Sequence, residues 1–444
     1  MSAAAPQPTG GPAATGPSAG RAGTGVATAP GPTKAVVKTQ APAGPPVARP
    51  EDLKTPTPAL LRVWLMVTVL AVIAFTVVSS VTLMVGHNTL ARAADSFDQL
   101  ARVESVRTDL LNADATAAHG YLGTGDTDYR EPLARTRVAL VEAAEAVPAD
   151  RPALADLNRD LDLYAAHLEE ARVGRDTPAG QAALVAAGAH LRQSLLPPLE
   201  SLVEINTHRV AGQTAPVPSW PLVVTGILAL AALAVTGVLT AIRFRRLLNL
   251  GLLAAFIAVA VAFGVAISTT SQTNHFVDLT SRNDLVPFGE TAAARGHAYD
   301  ARAQEAIALI ERNDRPDGDQ PWQAAADRTT AALQRVTVSG DGLRAPWDHY
   351  VRAHSDVRAA AGAGRWDEAR DLAVGSGPTT AGGRFAAFDR VATESMSRSV
   401  RHGRSWLDSQ AGPLQGAALG TGIGGLIALA CALLGVRLRL REYA

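Results

Sequence analysis

Four stretches of the chain carry no charged side chain: Val63–Gly86, Trp220–Ile242, Leu247–Thr270 and Pro413–Val436. Each holds 23 or 24 residues, and a bilayer core about 30 Å thick takes roughly 20 residues at a helical rise of about 1.5 Å. Only a helix satisfies its own backbone hydrogen bonds within such a stretch of lipid, so each predicts a spanning helix. They are rich in Leu, Ala and Val, with scattered Ser, Thr and Gln. The first begins too far into the chain, and is too long, to be a cleavable signal peptide.

Between the windows the pattern changes to a polar helical one. Apolar positions recur at three and four in Leu100, Val103, Val106, Leu110 and Leu111, and again in Leu154, Leu157, Leu161 and Leu168. Breaks at Gly123–Asp126, at Val147–Asp150 and from Gly174 to Pro178 divide 87–218 into four helices, near 88–123, 128–146, 151–173 and 179–213. Asp150 stands where it can cap the third helix, with Pro152 in its first turn. Pro197-Pro198 should kink or split the fourth. The second polar segment, 271–412, repeats the plan with helices near 271–313, 321–337, 345–362, 366–373 and 380–410. The expected fold is thus an all-α integral membrane protein, with four transmembrane helices and two tandem helical bundles. Little turn signal follows Gly86 or Thr270, so span and bundle helix should run on as continuous rods.

Charge sets the orientation. Residues 1–58 are dominated by Ala, Pro, Gly and Thr without an aromatic, a composition expected to remain disordered. Arg and Lys outnumber acids in this tail, in the turn Arg243-Phe244-Arg245-Arg246 and in the end segment 437–444, with Arg437, Arg439 and Arg441. The formal net charge of the chain is zero, so the two long connections are net acidic. Positive flanks stay inside. Both termini and the 243–246 turn are therefore expected in the cytoplasm, and both bundles outside it. Cys431, the single cysteine, lies in the fourth window, so no disulfide can staple the bundles.

Candidate chemistry is sparse. There is no Gly-rich phosphate loop, no Gly-x-Ser-x-Gly and no His-Glu-x-x-His. The His residues lack metal-ligand spacing, and the segments placed inside are too short for a catalytic domain. No enzyme activity, cofactor or metal is expected, and acidic outer segments disfavour nucleic acid. In Tyr299–Ile310, Arg302, Gln304 and Glu305 form a candidate ligand or partner face, although Arg302 and Glu305 three apart suit a solvated ion pair. Trp322, Trp347, Trp366 and Trp406 should pack in the second bundle or near the membrane. Gly416, Gly420 and Gly424 form a four-residue glycine ridge, suited to close helix packing within the chain or between protomers of a homodimer.

The corner between the first two bundle helices reads His119-Gly120-Tyr121-Leu122-Gly123-Thr124-Gly125-Asp126-Thr127-Asp128-Tyr129-Arg130-Glu131-Pro132. Gly120, Tyr121, Gly125, Asp126 and Tyr129 serve a helix end, a tight turn and an aromatic restart. The stretch resembles the corner of CHASE3-type sensor bundles. The Pro/Ala-rich tail, the Arg-Phe-Arg-Arg turn, the acidic outer bundles and Ala303–Ile310 resemble the GlnX family of actinobacterial membrane proteins. That resemblance implies a relay between an extracytoplasmic amino-acid-binding lipoprotein and a cytoplasmic serine/threonine kinase of glutamate and glutamine metabolism. Two alternatives stay open: a direct small-ligand receptor, and a structural envelope protein. Transport is disfavoured, because the windows hold no ionisable residue along a substrate path.

Overall fold

The computed structural model describes residues 57–123, 129–244, 249–312, 316–336 and 340–441, and these form an all-α fold without a strand. The tail up to 56, Gly125 and Asp126 of the corner, and Arg245 and Arg246 of the turn lie outside the described residues. So do the side chains of Arg243, Arg439 and Arg441, whereas Arg437 is exposed near the end of the last helix.

Four helices are long and apolar enough to cross a membrane. Helix α1 spans Thr57–Leu122 without interruption, carrying the first apolar window into the polar region. Helices α2 (Arg130–Ala146), α3 (Arg151–Val173), α4 (Pro178–His190) and α5 (Leu196–Gln213) complete the first polar segment. The second apolar helix, α6 (Trp220–Phe244), is set off from α5 by a short link. There the backbone of Val217 exchanges two hydrogen bonds with the Asn274 side chain, at 2.9 and 3.1 Å. Helix α7 (Leu250–Thr280) leads into α8 (Val286–Ile310). Helices α9 (Gln320–Arg335), α10 (Gly340–Gly362) and α11 (Trp366–Val374) follow, and α12 (Ala381–Arg441) returns through the fourth apolar window. Helix α12 enters that window without a break, running through Pro413. A proline costs a helix one ladder bond and some crowding, and apolar spans tolerate it.

Ahead of Pro197-Pro198 the α-helical ladder is interrupted by a π-turn rather than by a loop. Residues Leu191–Leu195 form a π-turn, in which the Leu196 N–H reaches back five residues to Leu191 O. The wider turn moves the carbonyls that a proline ring two residues on would strike. The same device recurs at Ser281–Leu285, ahead of Pro287, with the Val286 N–H on Ser281 O. Helical structure therefore continues past Pro197-Pro198 and past Pro287.

Both polar segments contribute to one hydrophobic core. Val106 and Leu110 of α1, Leu161 and Tyr164 of α3, Tyr299 of α8, Trp347 and Tyr350 of α10 and Phe385 and Phe388 of α12 belong to it. Helices α1, α8 and α12 lie where the segments meet. Closer to the apolar windows, Phe97 of α1 meets Phe288 of α8 edge-on at 5.3 Å. Gly403 of α12 lets the backbone close in, since a Cβ there would stand 2.9 Å from Phe97 and 3.3 Å from Asp284. Among the apolar helices, Asn249 caps α7 and donates to Gly435 O at 3.1 Å. A Cβ on Gly251 would lie 2.7 Å from the Cys431 carbonyl, so α7 and α12 touch backbone to backbone.

The glycine ridge is only partly used in that packing. Gly424 approaches Ala262, but Gly416 and Gly420 are exposed, with nothing near the place of a Cβ. Gly425, one residue round the helix, is the glycine pressed against Thr76.

Candidate functional site

Asp150 shows how the polar residues here depart from local rules. It makes no cap bond. Instead it is buried and receives Gln99, Asn206 and Arg209 at 3.2, 3.2 and 3.1 Å. Burial opposes its ionisation, but these donors outweigh it and hold the carboxyl below its usual range.

Two polar clusters cross the seam between α1 and α8. In the first, Asp114 of α1 accepts from Tyr164 at 3.2 Å and from Arg192 at 3.4 Å. Arg192 sits in the π-turn and also donates to Asp300 of α8 at 2.8 Å. Asp300 in turn receives Arg328 of α9 at 3.1 Å, and Gln304 at 3.4 Å. Burial pushes the Asp114 carboxyl up against the pull of Arg192.

The second cluster centres on Glu305, which is 1% exposed. Its Oε2 accepts from Tyr350 at 3.1 Å and faces His354 Nδ1 at 2.7 Å. His354 Nε2 lies 3.2 Å from Asp319, which Arg358 also approaches at 3.4 Å. With a carboxylate at each ring nitrogen, His354 can donate to both only as an imidazolium. Burial opposes that charge, but Asp319 and Glu305 prevail and raise its pKa. Trp322 stacks on the ring, centroids 3.6 Å apart. Glu305 is buried too, yet the His354 imidazolium at its Oε2 holds its carboxyl well below the usual range.

His119 reaches this cluster from α1. Its Nδ1 lies 2.9 Å from Ala115 O, so that nitrogen carries the proton. Its Nε2 lies 3.8 Å from Glu305 Oε1, within reach of charge but too far for a hydrogen bond. Among the described residues both atoms are buried without a hydrogen-bond partner, as is Arg302 Nη1. Burial and the Arg302 charge lower the His119 pKa.

At the corner, Ala117, Gly120, Tyr121, Tyr129, Leu168 and Arg175 line a shallow hollow. The Tyr129 hydroxyl donates to Glu169 at 2.6 Å, and burial together with that carboxylate pushes the phenol up to about 12. Glu169 is held down at about 2 by Arg172 and Tyr129. Arg175 donates to the Tyr121 carbonyl at 3.1 Å.

The candidate face of Arg302, Gln304 and Glu305 is thus taken apart. No solvated Arg302–Glu305 pair forms: Glu305 points into the core, and Gln304 joins the Asp300 cluster. Arg302 lies over the Phe385 ring at 4.8 Å. Gly120, Tyr121 and Tyr129 do come together around the hollow. His354, Asp300, Asp114 and Arg192 are site residues that helical spacing does not single out, because their partners lie far off in the chain. The one sequence signal is that His119 and Glu305 interrupt alanine-rich helices.

Residues 89–215 match the family model of an actinobacterial sensor domain, a stretch under a third of the chain. No curated protein matches the chain, and no solved structure does. A sensor-type domain on a chain with four membrane-length apolar helices describes a membrane sensor, which points to sensing rather than catalysis.

Proposed function

We propose that this protein is a non-enzymatic transmembrane signalling relay. Its helical bundles would receive an amino-acid signal of the glutamine or glutamate type from an extracytoplasmic solute-binding lipoprotein. Its cytoplasmic segments would pass that signal to a serine/threonine kinase. The observation that carries this reading is helix continuity: the 66 residues of α1 join an apolar window to the seam that holds His119. A rotation or shift at the seam would therefore reach the far end of the window without crossing a flexible joint. The sensor-domain match over 89–215 supports the receiving role, and the excess of Arg and Lys around the windows supports bundles outside and termini inside.

Crosslinking in native membranes, followed by purification of the full chain and mass spectrometry, tests the relay. Recovery of a solute-binding lipoprotein and a kinase is expected; recovery of neither overturns it. A second reading, direct binding of a small ligand, is favoured by the hollow at the corner. Titration calorimetry of the full chain with glutamine and glutamate decides that reading, and the absence of heat with both would reject it for these ligands.

A further inference from the structure

We propose that the seam between α1 and α8 holds a buried water molecule, hydrogen-bonded to His119 Nε2 and Glu305 Oε1, which joins the two helices where these side chains do not touch. This goes beyond the relay reading and stands whether or not a kinase or lipoprotein is involved.

Three polar atoms at this level are buried without a hydrogen-bond partner among the described residues. They are His119 Nε2 of α1, and Glu305 Oε1 and Arg302 Nη1 of α8. Native structures rarely leave such atoms unserved, because each lost partner costs the full desolvation of the group. The other polar atoms of the pair are engaged. His119 Nδ1 donates to Ala115 O at 2.9 Å, and Glu305 Oε2 accepts from Tyr350 and faces His354. The buried neighbours along both helices are alanines, Ala117 and Ala118 on α1 and Ala303 and Ala306 on α8, whose side chains have no polar group to offer. His119 and Glu305 are 3% and 1% exposed, so bulk solvent does not serve them either.

His119 Nε2 and Glu305 Oε1 stand 3.8 Å apart. A charge-assisted bond would draw them to about 2.7–2.9 Å, so the spacing is that of two acceptors, with the single ring proton on Nδ1. Burial and the Arg302 charge favour the same neutral ring. A water oxygen about 2.8 Å from each acceptor would see them about 85° apart, so its two O–H bonds reach both with little bending. Its own lone pair is then open to Arg302, one turn before Glu305 on α8. Buried waters make about three hydrogen bonds, and two acceptors with one donor are such a set.

Other small species satisfy only part of it. Ammonium or a metal ion would serve the two acceptors, but it has no lone pair for Arg302 and repels its charge. An anion would suit Arg302 and be repelled by Glu305. A second proton on His119 Nε2 would pull the ring onto Glu305 in a direct ion pair and leave Arg302 Nη1 unserved. With water in place, α1 and α8 can shift at this level by exchanging a bridged contact rather than by breaking a direct bond.

Solid-state nuclear magnetic resonance of the full chain in lipid vesicles, with histidine labelled in nitrogen-15, tests the site. Measurement at about pH 7.5 lies above the ordinary histidine pKa. The chain has ten histidines, and His119→Gln identifies the signals of residue 119 by their loss. The expected result is a neutral His119 ring, with short-range transfer from water protons to its unprotonated Nε2. His354, set between two carboxylates, is the internal reference for a ring with both nitrogens protonated. A charged His119 ring overturns the water in favour of a direct pair with Glu305. A neutral ring without transfer from water overturns it as well. Where His119→Gln does not fold, a crystal structure of the parent chain that resolves waters decides the matter: a density peak about 2.8 Å from both atoms is expected. Direct contact between the two atoms, or no peak between them, overturns the proposal.

Discussion

Removing the Glu305 carboxylate would leave the His354 imidazolium with Asp319 and Arg358 on one side and no anion on the other. Tyr350 would lose its acceptor in the same step. Breaking one side of a buried pair of this kind costs about 3–5 kcal/mol, so Glu305→Ala should lower thermal stability markedly, measured as loss of helical circular dichroism. An unchanged melting temperature would mean that the carboxylate is not ionised in place. His354 makes a second prediction with its own sign. Its folded pKa is raised above 6.5, so its contribution is fully present below 6.5 and is lost as pH rises through the folded value. The melting temperature should therefore fall on the alkaline side, and His354→Gln should flatten that limb. Local sequence hides this pair. Residue 305 has a nearby helical partner in Arg302, and spacing rules choose it over a histidine 49 positions away. Burial reverses the choice, because only a fully surrounded carboxylate repays its desolvation with several donors.

Helix length was legible where the chain lacked turn residues. Gly86 is followed directly by polar helical sequence, and α1 indeed runs on unbroken to Leu122. At the prolines local reasoning foresees a disturbed ladder but not the form it takes, a π-turn ahead of each proline site. The π-turns join α4 to α5 and α7 to α8 without an intervening loop. At the glycine ridge a spacing of four marks a face without saying what covers it; within the chain only Gly424 meets a neighbour. The glycine that does bring three elements together near the windows is Gly403. There α1, the second π-turn and α12 converge, with Asp284 receiving His402 at 2.9 Å and Arg404 paired with Asp98. Gly403→Val would drive new atoms into Phe97 and Asp284. Overpacking of this kind costs about 1–3 kcal/mol. Proteolysis of the variant should cut sooner within α1 and α12 near this level, and unaltered cleavage would show that the contact is loose.

At the scale of the whole molecule, the shared core packs the two polar segments against each other. Leu161 and Tyr164 of the first and Trp347 and Phe388 of the second belong to one cluster, so the seam is the surface along which any relative motion would occur. Which side of the membrane that seam occupies is argued from charge. Arg49, Lys54 and Arg62 precede the first window, Arg243, Arg245 and Arg246 join the second to the third, and Arg437, Arg439 and Arg441 follow the fourth. Moving such clusters across a bilayer is disfavoured, and the bias acts within roughly 15–20 residues of a span. In the proposed topology all three clusters lie on the cytoplasmic face and the seam on the opposite one. With Cys431→Ala as background, Ser355→Cys on exposed α10 should react in intact cells with a maleimide that cannot cross membranes. Ser18→Cys in the tail should react only after permeabilisation. The reverse pattern would place the bundles inside and end the relay reading, while leaving the seam and its buried water to be judged on the histidine resonances alone.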